Sequence, residues 1–597
     1  MTATPARRVP ADIAALGTVP GARAEMTRAS ASSSGVSLLP WSNPVFRRYF
    51  RSRLRLRKSI FWYLVTLIVT TFVVSLTYTL QANSGTAETA ARSVWIPLLV
   101  LQGLILMVKG TGSVSAGLIQ DKIDQTLDYQ RLTPVSPLRN LVGYLVGLPV
   151  LEYAMFALTL PHLAFIAFVG RIPVGALLTV YCAFFVCAVL YHMTGIAAGM
   201  LMRKWIFGYL LSILLVLLVN VILPTFVSQL GLRFFQYFSV WPVIGQKVLP
   251  IVAGAEALPS DNPFWSGFSD VPFYGWTLSP FVFTLLLQGA SILTFATMAV
   301  RRWKSSTRHS LSKPYAIALL TGFVTVLIGN VWPIVTREYM PFALFGRQRF
   351  EELGSAVAFG LPLVYSYFVW ILCLLLFATI VPTYDSFVRG TRRAIKHGRA
   401  RARAWDDDSG SLLVYVAFVL VAVGGLAVLL RQISAAGFYD SFGPWPAPMW
   451  RLPLALALVT LYGALLLQAL GHRRAMLVVL LLWCLPVLLS TVLSAQAETF
   501  AVLHAVLHSL SPFAWLLMAG LPAESLEMPG TPAGQTSPLV VGAYTGLVVV
   551  TAQLAVLGLV WGRRRRDCDV VCGLTTPVPA SLEDADAVDP SAARARD

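Results

Sequence analysis

Between two long apolar runs lies the segment Asp121-Lys122-Ile123-Asp124-Gln125-Thr126-Leu127-Asp128-Tyr129-Gln130-Arg131-Leu132-Thr133-Pro134-Val135-Ser136-Pro137. Asp121, Asp124 and Asp128 recur at helical spacing and gather on one side, with Ile119, Ile123 and Leu127 on the other. Proline is poorly tolerated inside a helix and drives the preceding residue out of the α region, so this helix is expected to end near Leu132. The chemistry on offer is recognition: a short amphipathic helix, acidic on one face, presented at a membrane surface to a partner.

A second group of reactive side chains sits inside the apolar runs. Lys109, Glu152, His162 and His192 fall at membrane depth, where an ionisable group is a functional candidate by default. Glu152 can pair with Lys109, touch a polar substrate or relay a proton, and an ion pair is the plainer expectation. His504 and His508 are spaced to share a helix face, but two ligands fall short of a metal site, and none is expected. Cys182, Cys187, Cys373 and Cys484 lie in apolar runs and behave as small hydrophobes; Cys568 and Cys572 are expected in a reducing compartment. No G-x-x-x-x-G-K-[ST] loop cradles phosphates, so the chain is not expected to hydrolyse ATP. The run Gly110-Thr-Gly-Ser-Val-Ser-Ala-Gly117 lacks the lysine and reads as a close-packing helix face.

These groups are positioned by a membrane bundle. Of 597 residues 56% are hydrophobic and 12% charged, where a soluble domain carries roughly a quarter charged. Twelve apolar runs are long enough to cross a bilayer: 59–80, 93–117, 141–169, 173–201, 205–229, 279–300, 314–335, 358–381, 411–430, 450–470, 475–494 and 539–561. The net charge of +18 is confined to clusters beside these runs, which argues against nucleic acid as a partner. With the N-terminus inside, thirty Lys and Arg fall in inside segments and nine in outside gaps, so both termini are expected to be cytoplasmic. The gap 336–357 fits that topology least well. The expected fold class is therefore all-α, a polytopic membrane protein of two six-helix halves. Residues 1–40, without an apolar h-region, are expected to be a disordered tail, 41–313 and 314–566 the two halves, and 567–597 a second disordered tail. The halves match in layout rather than sequence: each has a long inside gap after its second span (118–140, 382–410) and a long outside gap before its sixth (230–278, 495–538). Within the outside gaps, the apolar segments 241–254 and 499–520 are expected to be re-entrant helices packed against the bundle.

The stretch from Asp121 onward resembles the membrane subunits of ABC-2 type transporters. Their second span leads into E-x-x-x-G-T-L-x-x-L-x-x-T-P-x-S and then a G-K start to the third. Thr126, Leu127, Thr133, Pro134 and Ser136 match that pattern. Asp121 stands for the usual Glu, Gln125 for Gly, Gln130 for Leu, and Tyr144, after Gly143, for Lys. Asn43-Pro44-Val45-Phe46-Arg47-Arg48 is similar to the basic entry helix of such permeases, and Ser511-Pro512-Phe513 to their outside segment. These motifs cover about a tenth of the chain.

The resemblance implies that 118–134 is a coupling helix docking into an ATP-binding subunit. On it, Asp121, Lys122, Asp124, Gln125, Thr126, Leu127, Arg131, Thr133 and Pro134 would carry the contact. The matching element in a degenerate second half would lie in 382–406, through Asp385, Arg389 and Arg392, although contact with lipid headgroups explains its basic face equally well. It further implies a permease in a bacterial plasma (inner) membrane, exporting or flipping a hydrophobic or amphipathic substrate. No cofactor is expected on this chain; ATP and Mg would come through two copies of an ATP-binding cassette nucleotide-binding subunit. The pathway would open between the halves, lined by the second and fifth spans of each. The rivals are an ion-gradient-driven secondary transporter using Glu152 and a non-transporting membrane scaffold. With no nucleophile motif or paired carboxylates, an enzyme is not expected.

Overall fold

A computed structural model describes residues 40–83, 85–133, 135–202, 204–219, 222, 233–253, 270–305, 308–336, 356–399, 401–440, 446–493, 503, 507, 509–521 and 538–574. The tail 1–39, residues 337–355, His504, His508 and Pro134 lie outside the described residues.

The protein is an all-helical, polytopic integral membrane protein, with one small hairpin as the exception among the described residues. The chain enters through α1 (Pro44–Arg53) and crosses in α2 (Leu56–Ala82). It continues through α3 (Ala87–Ile123), α4 (Thr126–Leu132), α5 (Pro137–Gly147), α6 (Val150–Val169), α7 (Val174–Leu201) and α8 (Trp205–Leu217). After strands β1 (Val271–Phe273) and β2 (Trp276–Leu278) come α9 (Pro280–Lys304) and α10 (Lys313–Val335). The rest is α11 (Leu361–Ile380), α12 (Tyr384–Lys396), α13 (Leu412–Ala435), α14 (Ala447–Leu470), α15 (Arg474–Ser490), α16 (Pro512–Gly520) and α17 (Pro538–Val571). Among the described residues ten helices are long and apolar enough to cross a membrane. The expected fifth and eleventh spans, at α8 and α15, are shorter apolar helices within the described residues. In hydrocarbon every backbone group must be bonded within its own segment, which is why the apolar runs are helices.

Four boundaries differ from the sequence expectation. The second span does not stop at 117 but runs to Ile123, so Asp121 and Lys122 belong to the membrane helix. The single amphipathic helix expected up to Leu132 is cut after Ile123, because Gln125 turns left-handed at φ 56°. The third span is broken at Leu148-Pro149, where proline has no N–H for the helix ladder. The last helix also continues past Arg563–Arg566 to Val571, into the stretch expected to be tail.

The third and fourth spans, which the sequence separates by only residues 170–172, form a tight hairpin, turning through Gly170 and Arg171, the latter at φ 47°. Arg92 of α3 pairs with Glu88 and donates to Gly170 O at 2.8 Å, fixing that turn. Two described pieces of the gap 230–278 pack onto α10 and α11. Tyr274-Gly275, both at positive φ, make the two-residue turn of the β1–β2 hairpin. Tyr274 Oη donates to Thr325 O at 2.9 Å, and Phe234 and Phe235 pack on Phe323 and Phe368. In the two expected re-entrant segments, Trp241–Lys247 and Leu249–Ala253 are helical, as is α16, and their inner residues are buried.

Close approach of α7 to α3 depends on Gly195, where an added Cβ would lie 2.8 Å from the Thr111 carbonyl oxygen. Backbone cannot yield there, so Gly195→Ala is expected to cost about 1–3 kcal/mol through overpacking. Gly322→Ala, with open space around it, should be near neutral. Thermal denaturation of the two detergent-purified variants checks this.

Candidate coupling surface and intramembrane polar site

At one end of the bundle, buried Asp121 organises three elements. Its Oδ1 accepts from Arg48 Nη2 at 3.0 Å, and its Oδ2 accepts from Tyr49 Oη and, at 2.6 Å, from Tyr144 Oη. Arg48 and Tyr49 come from α1, and Tyr144 from α5. Asn43 completes the join: its side chain caps α1 by accepting from Val45 N, and it donates to Arg139 O at 2.5 Å. Tyr144 Oη also accepts from Gln130 Nε2 of α4 at 2.9 Å. Asp121, Gln130 and Tyr144, three of the four departures from the resembled motif, are thus bonded to one another. The fourth, Gln125, occupies the left-handed turn, a conformation in which glycine costs nothing.

Helix α4 is anchored by this network and by Leu127, whose side chain enters a cluster with Leu118, Leu141, Tyr144 and Trp303. Lys122, at the end of α3, and Arg131 of α4 tie down other helix ends. Lys122 donates to Met200 O at 2.9 Å and Met202 O at 3.3 Å, capping α7; Arg131 pairs with Asp128 and donates to Arg302 O at 3.3 Å, near the end of α9. Asp121 and Leu127, expected to touch a partner, are therefore interior: they position α4 instead. Lys122, Thr126, Arg131 and Thr133 are half-buried, and Asp124 and Gln125 exposed. The outward face adds two residues that sequence reasoning missed, Tyr129 at 69% and Leu132 at 84% exposure. The signal was their three-residue spacing on the face opposite Leu127.

In the second half, α12 is capped by Thr383 and turns Asp385, Arg389 and Arg392 to solvent. Its small inner face, Ser386, Gly390, Thr391 and Ala394, is buried. An acidic run that the sequence reading passed over, Asp406-Asp407-Asp408, holds it: Arg393 pairs with Asp408 at 3.0 Å. The same loop takes Arg301 of α9 on Asp407 at 2.6 Å, and buried Lys313 of α10 donates to Asp406 O and Ser409 O. Arg401 reaches Asp569 on α17 at 3.0 Å.

The intramembrane candidates also meet. Lys109 Nζ donates to Glu152 Oε1 at 2.5 Å and lies 4.8 Å from the Trp62 ring centroid; Ser113 Oγ donates to the same oxygen at 2.8 Å. Glu152 is fully buried and its Oε2 has no hydrogen-bond partner among the described residues. Lys109 lies in a π-helical stretch, Leu104–Gly110, which shifts the backbone ladder by one residue. There the Leu106 carbonyl accepts from His192 Nε2 at 3.0 Å, so neutral His192 presents Nδ1 as an acceptor to Tyr153 Oη at 3.3 Å. Gly110 admits the imidazole: an added Cβ would lie 2.7 Å from Nε2. His162 meets Thr71 at 3.0 Å and is not drawn into this group.

Chemically, the first site can dock a partner and pass its motion to three helix ends. The second can hold or exchange a proton or polar group on Glu152.

Two outcomes follow. Burial, then Tyr144 and Asp121, raise the Tyr49 pKa above its ordinary value of about 10. The fold holds the neutral phenol, so Tyr49's contribution is full below about pH 10 and is lost as pH rises through the folded value. Thermal melts across pH 8–12 should show a decline, beginning at roughly the ordinary tyrosine value, that is shallower in Tyr49→Phe. Separately, Lys109→Met strands a buried carboxylate and should cost about 3–5 kcal/mol, whereas Lys109→Met with Glu152→Met should cost less than the single change. A double-mutant cycle of melting measurements reads this coupling.

Comparison with protein-family models, with curated proteins and with solved structures finds no match for this chain.

Proposed function

We propose that this chain is the permease subunit of an ABC transporter in a bacterial plasma membrane. On this reading it crosses the bilayer twelve times, keeps both termini in the cytoplasm and works with two copies of a separate ATP-binding subunit. It exports or flips a hydrophobic or amphipathic substrate. The observation that carries the reading is the two-sidedness of α4. Its inner side is tied through Leu127, Gln130 and Arg131 to α3, α5 and α9, while Asp128, Tyr129 and Leu132 face outward. An aromatic and a leucine beside a carboxylate, on a short rigid helix, suit insertion into a groove of a partner. Force applied there reaches the ends of the spanning helices without passing through a flexible loop.

α12 would be the second contact, through Arg389 and Arg392. On this reading the fifth span of the first half, α8, would line the pathway. α8 packs on α3 within its own half, with Gly208 against Ile119, and Leu210, Leu214 and Leu217 are exposed. Lipid or an amphipathic substrate would meet that face.

A second reading has one specific observation in its favour. The unpartnered Glu152 Oε2 is what a proton-coupled transporter would need at membrane depth.

Affinity capture of the protein from its native membrane, with ATPase assay of the eluate, separates the two. The wild type is expected to bring down ATPase activity, and Tyr129→Asp with Leu132→Asp to lose at least nine-tenths of it, about 1.4 kcal/mol or more of docking free energy. Glu152→Gln should retain the ATPase. Absence of ATPase from correctly inserted wild type would sink the permease reading and leave gradient-driven transport through Glu152 to be measured.

A further inference from the structure

Beside α4 lies a cavity of about 390 Å³ whose walls include Leu118, Lys122, Arg131, Met200, Arg302 and Trp303. Its polar wall is made mostly of donors. Lys122, Arg131 and Arg302 bring three positive charges, against one negative charge from Asp128, which already accepts from Arg131. Two buried N–H groups here have no acceptor among the described residues: Arg131 Nε and the indole Nε1 of Trp303, a residue only 3% exposed. An orphaned buried donor is costly unless something accepts from it. The cavity is therefore built for an anion rich in acceptor oxygens.

Its apolar wall narrows the class. Leu118 stands one helical turn, about 6 Å, deeper along α3 than Lys122. Leu118, Gly199 and Met200 belong to membrane helices, whereas the cations sit where those helices end. A site that is cationic at the surface and apolar toward the bilayer matches a phospholipid headgroup with the top of its acyl chains. A partner's carboxylate would satisfy the donors but leave the apolar wall unused. We propose that this cavity binds the phosphate of an anionic phospholipid, whose oxygens accept from Lys122, Arg131, Arg302 and the Trp303 indole. The lipid would bridge α4 to the ends of α3, α7 and α9. This site does not depend on the ATPase reading, because lipid binding is measurable on the isolated protein.

The test uses delipidated full-length protein in detergent, titrated with phosphatidylglycerol, phosphatidylcholine or inorganic phosphate and read by native mass spectrometry and thermal shift. Phosphatidylglycerol is expected to be retained and to raise the melting temperature, with phosphatidylcholine at least about tenfold weaker. Arg302→Gln should weaken retention about tenfold, and Trp303→Phe, which keeps the ring and removes the N–H, by severalfold. If Arg302→Gln does not give folded protein, Trp303→Phe decides. Equal binding of both lipids, or wild-type retention in Trp303→Phe and Arg302→Gln, would overturn the proposal. A full shift from inorganic phosphate alone would overturn the lipid as ligand in favour of free phosphate.

Discussion

One carboxylate holds the basic end of the first half together. Asp121 is 3% exposed, and taking its charge out of water costs several kcal/mol unless donors replace the lost hydration. Arg48, Tyr49 and Tyr144 supply them from two other helices. The requirement fixes α1 and α5 against the end of α3. With α3 pinned, the chain has two residues, Asp124 and Gln125, in which to turn back, and Gln125 does so left-handed. That turn decides which side of α4 faces inward. The outward placement of Tyr129 and Leu132 therefore follows from a buried charge two turns away in sequence.

The same logic links the halves. The loop that contains Asp406, Asp407 and Asp408 receives Arg301 from the end of the first half, Lys313 from the start of the second, and Arg393 from α12. Arg401, before this acidic run, reaches Asp569 on α17. A cation is strongly favoured where a helix presents its last carbonyls, and Lys122 and Arg131 use that rule on α7 and α9. Both amphipathic helices at this end are thus wired to helix ends rather than left on tethers, which is the property a coupling element requires.

Apolar runs, the 170–171 hairpin and the Lys109–Glu152 pairing were legible because they depend on composition and on a costly intramembrane charge seeking its opposite. The helix expected from 117 to 132 was not, because periodicity cannot see a left-handed residue when the residue is not glycine. Asp121 was read as surface because aspartate usually is, and its three donors are far away in sequence, at 48, 49 and 144. The hairpin at 271–278 was missed for the same kind of reason: three-residue strands carry too little alternation to register, and their stability comes from packing on α10.

The central claim is that the outward face of α4 meets an ATP-binding subunit. The most direct measurement is photo-crosslinking in native membranes from a photoreactive residue placed at Leu132, compared with one at exposed Leu80 near the other end of α2. The account predicts an adduct from position 132 whose partner peptide belongs to a protein with a phosphate-binding G-x-x-x-x-G-K-[ST] loop, and no such adduct from position 80. An inserted protein that gives no adduct at 132, or the same one from both positions, would contradict it.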